Sequence, residues 1–130
     1  YNPTGERYVV TRIEVVRIRP QVALEEPLSQ LIDDPWQTLP CPGTSDGCVV
    51  TFEDSDFATG RRDTLYYVRA IQEKTPMVNG ANLRCEYDAQ GNCVKTHPCY
   101  ADYRTAFADD CLAEGEERAW SSPIFIDYAK

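Results

Sequence analysis

The sequence is poor in the groups that most hydrolytic and metal chemistry needs. It has one histidine, His97, in 130 residues. That histidine sits in Thr96-His97-Pro98-Cys99 with no partner motif around it, so a nucleophile with a positioned base is unsupported. No Gly-x-Ser-x-Gly elbow, Walker loop or dinucleotide fingerprint is present. No apolar run approaches the roughly 20 residues that cross a bilayer as a helix, so membrane insertion is not expected. Cations are also scarce: Lys plus Arg number 13 against 21 Asp plus Glu, a net charge of −8. That balance argues against nucleic acid as a partner, because too few cations remain to neutralise phosphates. The tightest basic groupings, Arg17 with Arg19 and Arg61 with Arg62, read as ends of strands and turns. No cofactor is expected. There is no internal repeat and no low-complexity tract.

Cysteine is what the chain has in quantity. Cys41, Cys48, Cys85, Cys93, Cys99 and Cys111 lie in Gly-, Pro- or Asp-rich settings that read as loops. No Cys-x-x-Cys occurs, and one histidine cannot complete a repeated Cys/His pattern, so disulfides are favoured over zinc. Disulfides persist in oxidising compartments, so a periplasmic or secreted protein is expected. Sequential pairing closes three short loops: Cys41–Cys48, Cys85–Cys93 and Cys99–Cys111. The main rival joins Cys85 to Cys111 and Cys93 to Cys99. The chain begins at Tyr1, which we read as a mature or excised piece of a larger protein.

Aromatic residues at 11% argue for an ordered chain. Residues 8–19 alternate like a half-buried strand, with Val9, Thr11, Ile13 and Val15 on one side. The apolar phase changes at Val15-Val16, where a β-bulge is expected. Pro20 ends the ladder. Residues 21–47 hold too many prolines for a central strand, with one helical turn expected at 28–32. Asp34-Pro35-Trp36 reads as a turn seating Trp36 on the core. A short strand is expected at 48–52. Residues 64–71 are apolar on both faces, which marks a central strand. Tyr100, Tyr103 and Phe107 recur at helical spacing, predicting a short helix over 101–112. Ile124, Phe125 and Ile126 mark a terminal strand, and residues 120–126 are expected to lie antiparallel beside 65–71.

Several short strands with many turn signals give an all-β class. Tyr66-Tyr67-Val68-Arg69-Ala70 and Trp120-Ser121-Ser122-Pro123-Ile124 resemble the last two strands of fibronectin type III-like domains. The resemblance implies an immunoglobulin/fibronectin III-like β-sandwich, a single domain over 1–130. Residues 72–117 would then form a cysteine-rich insertion before the last strand.

The residues offer three kinds of candidate ligand site. Glu53, Asp54, Asp56 and Asp63 cluster around one turn, making Asp54, Asp56 and Asp63 weak calcium candidates. Asp88 with Gly91 marks a second turn, and such turns mostly cap backbone groups without metal. Asp109, Asp110, Glu114, Glu116 and Glu117 read as a solvated acidic face, not as glycosidase carboxylates. Trp36, Tyr87, Tyr100 and Tyr103 are candidates for stacking on sugar rings, although Trp36 and Trp120 also suit a sandwich core.

A second resemblance spans nearly the whole chain. Its elements are Arg12-Ile13-Glu14-Val15-Val16-Arg17-Ile18-Arg19-Pro20, Asp34-Pro35-Trp36, Cys41, Cys48 and Leu65-Tyr66-Tyr67-Val68-Arg69-Ala70. They continue with Asn79-Gly80, Arg84-Cys85, Gly91-x-Cys93, Asp109-Asp110-Cys111-Leu112 and Arg118-Ala119-Trp120-Ser121-Ser122-Pro123-Ile124. Together they resemble the C-terminal region of an uncharacterised bacterial family whose full-length members look like PHP-type (polymerase and histidinol phosphatase) metal-dependent hydrolases. The resemblance implies a missing N-terminal domain that carries the metal motifs. It implies for this chain a non-catalytic accessory role, with a carbohydrate- or peptide-binding module at the cell surface as the alternative.

Overall fold

The valine-rich stretch with period-two alternation becomes the middle of a sheet. The computed structural model describes Gly5, residues 7–78, Gly80 and residues 84–129; Asn79 of the quoted motif lies outside the described residues. In chain order the strands are β1 (Val10–Ile18), β2 (Ile32–Pro40), β3 (Thr64–Val78), β4 (Cys85–Tyr87), β5 (Cys93–Thr96), β6 (Leu112–Trp120) and β7 (Ile124–Ile126). A 3-10 turn at Leu28–Gln30 meets the expected helical turn, and a one-turn helix, α1, occupies Phe57–Gly60. The large sheet has the order β2-β1-β3-β6, and β7 also pairs with β3. A separate two-stranded ribbon joins β4 to β5. The chain divides into two compact units, one of Tyr1–Glu73 with Arg118–Lys130 and the other of Lys74–Glu117.

In the first unit, β1 lies between β2 and β3, antiparallel to both. Val15 and Val16 are adjacent, so they point to opposite faces, yet both have 0% exposure. Both faces of the sheet are therefore covered at this point, which is why the apolar phase changes there. The register of β1 with β3 runs unbroken from Arg12↔Ile71 to Ile18↔Leu65. The expected bulge is present, but its extra residues are in β2. Arg17 pairs with Asp33 and Val15 with Gln37, so Asp34, Pro35 and Trp36 together oppose Val16. The anticipated turn at 34–36 is thus a wide bulge inside an edge strand, where proline is tolerated.

The closing strand lies antiparallel beside β3 as expected, but it spans only Ile124–Ile126, and Trp120 instead ends β6. Thr64↔Ile126, Leu65↔Phe125 and Tyr66↔Ile124 form an antiparallel ladder. The strand expected at 48–52 does not form. Both sides of β1 are already taken, and the segment instead lays Phe52 against Trp36 and Tyr66, with ring centroids 6.0 and 6.2 Å away. Cys41 and Cys48 close the loop that leads into it.

In the second unit, the other two disulfides join Cys85 to Cys93 and Cys99 to Cys111. No cysteine among the described residues is free. All three pairings are between consecutive cysteines. The ribbon pairs Glu86 with Lys95, and Asp88 closes its turn by accepting the amides of Gln90 and Asn92. The helix expected over 101–112 is replaced by turns. The Asp102 carboxylate takes the Arg104 amide, and Ala101 and Cys111 adopt φ of 57° and 61°, which no helix accommodates. Strand β3 continues beyond the predicted end at Ile71, and β6 is a strand that apolar alternation did not reveal. Gly80 and Gly115 permit close packing here: a Cβ on Gly80 would collide with the Ala113 carbonyl oxygen.

Candidate functional site

The first unit carries a charged cluster on the face that Phe52 covers. Strand β1 presents Arg17, β2 presents Asp33 and Trp36, β3 presents Tyr66, and the covering segment supplies Asp54. Arg17 Nε donates to Asp33 Oδ2 at 2.9 Å, and its Nη1 donates to both oxygens of Asp54 at 3.1 and 3.0 Å. Tyr66 Oη donates to Asp54 Oδ2 at 2.6 Å. The guanidinium carbon lies 4.5 Å from the Trp36 ring centroid, a cation–π contact. The Arg17 and Asp54 side chains are each only 8% exposed.

The ionisation of these groups follows from their neighbours. Burial pushes the Asp54 carboxyl up, but hydrogen bonds from Tyr66, Arg17 and the Asp56 amide outweigh it, and the net shift is down. Burial, with the hydrogen bond to Asp54, pushes the Tyr66 phenol up to about 12. The set is a closed network in which each charge already has a partner. Its carboxylates are engaged by Arg17 and its phenol by Asp54, so the set acts as a clasp.

The calcium candidates do not converge. Asp54 serves the clasp, Asp56 is exposed with its carboxylate 3.8 Å from Arg17, and Asp63 accepts the Tyr128 amide. Among the described residues, no group of three or more His, Cys, Asp or Glu is arranged to hold a metal ion. Three of the four arginines in the basic groupings, Arg17, Arg19 and Arg62, are occupied internally. Arg19 pairs with Asp33, and Arg62 pairs with Glu26 at 2.6 Å.

In the second unit, His97 Nε2 is hydrogen-bonded to Glu86, whose carboxylate also takes Lys95. Those bonds, led by His97, hold the Glu86 carboxyl below its usual range. No described thiol is free to act as a nucleophile beside it. Asp109 receives both Nη groups of Arg84 at 2.8 Å, and its carboxyl is lowered to about 2 by that fork. Of the acidic face, Asp109 is therefore an ion-pair partner, and Asp110 accepts the Leu112 amide.

The aromatic candidates separate. Trp36 packs in the clasp. Tyr87 is exposed on the ribbon, and Tyr100 is covered by the Arg104 guanidinium at 4.0 Å. Tyr103 is 94% exposed, as is Phe107 at full exposure, a residue that sequence reasoning gave only to a helix. The loop that bears them is closed by Cys99–Cys111 and borders a hollow of about 650 Å³.

Sequence reasoning overlooked the surface of the closing strand. Ile124, Phe125 and Ile126 are 54%, 70% and 39% exposed, and Trp120 is 62% exposed. A hollow of about 310 Å³ lies on one side, lined by Phe52, Phe57, Tyr66, Ile124 and Ile126. Another, of about 300 Å³, has an apolar wall that includes Ile18, Leu65, Phe125 and Ile126 and an acidic end at Asp63 and Asp127. The signal was the uninterrupted Ile-Phe-Ile triplet, which reads equally well as buried.

No helix among the described residues is long and apolar enough to cross a membrane. Comparison with protein-family models, with curated proteins and with solved structures finds no match to this chain.

Proposed function

We propose that the chain is a non-catalytic accessory β domain of a larger secreted or periplasmic protein, packing against a PHP-like metal-dependent hydrolase domain. The carrying observation is the exposed apolar surface of β7 with Trp120, on a unit whose buried charges are already paired internally. Apolar surface of this kind favours contact with another protein. Disulfides support an oxidising compartment. On the sandwich reading, the segment carrying Phe52 and Asp54 takes the place of a second layer over the face of Arg17 and Tyr66.

The experiment is a phosphoesterase assay on the isolated chain with added manganese, zinc or iron. No turnover is expected, because hydrolytic metal sites need His and carboxylates around an open coordination position. Robust turnover lost in His97→Ala would overturn the reading. Fused to the polypeptide that precedes it in its reading frame, the chain should gain thermal stability, and Phe125→Lys should remove that gain.

A second reading, a carbohydrate- or peptide-binding module, is favoured by Tyr103 and Phe107 standing exposed on the disulfide-closed loop. Binding to a glycan panel that is lost in Tyr103→Ala with Phe107→Ala would select it.

A further inference from the structure

Three strands of the large sheet have an open side among the described residues, and two of them are guarded. Strand β2 carries Asp33, Asp34, Pro35 and a wide bulge. Strand β6 carries Glu114, Glu116, Glu117 and Arg118 around Gly115. Charges, proline and bulges are the devices that keep a sheet edge from accepting another strand. Strand β7 is short, three residues between Pro123 and Asp127, but within the strand it carries no charge, proline or bulge: it is Ile124, Phe125 and Ile126, and among the described residues it pairs with β3 alone.

Resting on the accessory-domain reading, we propose that β7 is the docking edge, and that its occupant is an extended strand of a partner polypeptide which adds to the sheet beside it. An added strand satisfies the outward backbone groups of β7, and its alternate side chains enter the hollows on the two faces. Charge sets the chemistry of that strand. Asp127 follows β7 directly, and Asp63, which precedes β3 and lines the same hollow, accepts only the Tyr128 amide among the described residues. An apolar strand ending in lysine or arginine is complementary to this acidic end. A second copy of the chain is not, since each copy carries −8.

The test uses the full chain and a synthetic peptide of about ten residues, alternating valine and threonine with a lysine at each end. Amide exchange should slow at Ile124, Phe125 and Ile126 and stay unchanged in β2 and β6. Two further peptides are N-methylated at alternate residues, one on each strand edge. One should bind at least about tenfold more weakly through its missing donors, and the other should bind like the parent peptide. Phe125→Lys should likewise weaken binding at least about tenfold. If that variant does not fold, the N-methylated peptides on the unaltered chain still decide. The proposal is overturned if both peptides bind like the parent, if both weaken alike, if protection appears on β2 or β6, if no binding occurs, or if β7 is protected by dimerisation alone. These failures remain distinct from failure of the accessory role, which is read from catalysis and from the fused polypeptide.

Discussion

Arg17 and Asp54, 37 positions apart, meet in a two-pronged ion pair, with the Trp36 ring over the guanidinium and the Tyr66 hydroxyl donating to the carboxylate. The pair ties a segment without regular structure to the central strand of the sheet. Its energetic weight lies in what a single substitution strands, not in the pair itself. Arg17→Met leaves a buried carboxylate, and Asp54→Asn leaves a cation whose one hydrogen-bonded carboxylate is Asp33, with Asp56 3.8 Å away. Each should cost about 2–4 kcal/mol, and the double variant should recover part of that loss. Urea unfolding midpoints measure it; strictly additive losses would contradict the clasp.

Acid should weaken the fold through the carboxylates whose native ionisation is favoured. Glu14, hydrogen-bonded by Arg12, and Asp54 and Asp109 all titrate below their ordinary values. A lowered native pKa gives stability that is present above the unfolded value of about 4 and is lost as pH falls through the native one. Stability should therefore decline below about pH 4, and Asp109 should titrate near 2 in carboxyl-resolved NMR. Arg84→Gln should return Asp109 toward the usual carboxylate range.

Alkali tests the same clasp from the other side. The Tyr66 phenol, raised to about 12, favours the protonated form in the fold. Its contribution is complete below the unfolded value of about 10 and is lost as pH rises through the native one. Phenolate absorbance should show one tyrosine titrating late. Asp54→Asn should bring that tyrosine earlier; an unchanged titration would refute the assignment.

Reduction should act locally. The three disulfides account for all six cysteines, so reduction should add about six protons by mass. Each short loop contributes about 2–3 kcal/mol on the chain-entropy view. Hydrogen exchange should rise first in the ribbon of β4 and β5 and in the loop before β6, with β1 and the Leu65–Tyr66 stretch of β3 holding. Core strands opening first would count against this.

Two glycines should respond unequally to alanine. At Gly80 the new Cβ meets the Ala113 backbone, which cannot step aside, whereas at Gly115 it meets the Met77 thioether at 2.5 Å. Gly80→Ala should cost about 1–3 kcal/mol and Gly115→Ala less, because methionine repacks easily. Thermal melts of the two variants decide.

The strands that could be read from the sequence are those whose burial repeats every second residue. Strand β1 and the first half of β3 show that pattern, and β7 is a short apolar run of the kind a closing strand leaves. The consecutive cysteine pairs were legible because each closes a short loop. Strand β6 was not, since Leu112–Trp120 has a run of charges at Glu114, Glu116, Glu117 and Arg118 and no sustained apolar alternation, although it is hydrogen-bonded to β3. Phe52 looked like a strand residue because a core contact made by an irregular segment leaves the same local apolar mark. Tyr100, Tyr103 and Phe107 had helical spacing, but the Asp102 turn and the bridge from Cys99 to Cys111 overrode it. The clasp was hidden for a different reason: its partners are dispersed over β1, β2, β3 and a loop, and only the fold collects them.

The order of the bridges has a consequence for biogenesis. Every cysteine is bonded to its immediate neighbour in the cysteine series, with separations of 7, 8 and 12 residues. A chain threaded from its N-terminus into an oxidising compartment therefore presents each thiol pair complete before the next pair emerges. An oxidant working in that order makes only native bonds. Shuffling by a disulfide isomerase becomes dispensable, and the yield of correctly bridged chain should depend on the supply of oxidant rather than on rearrangement.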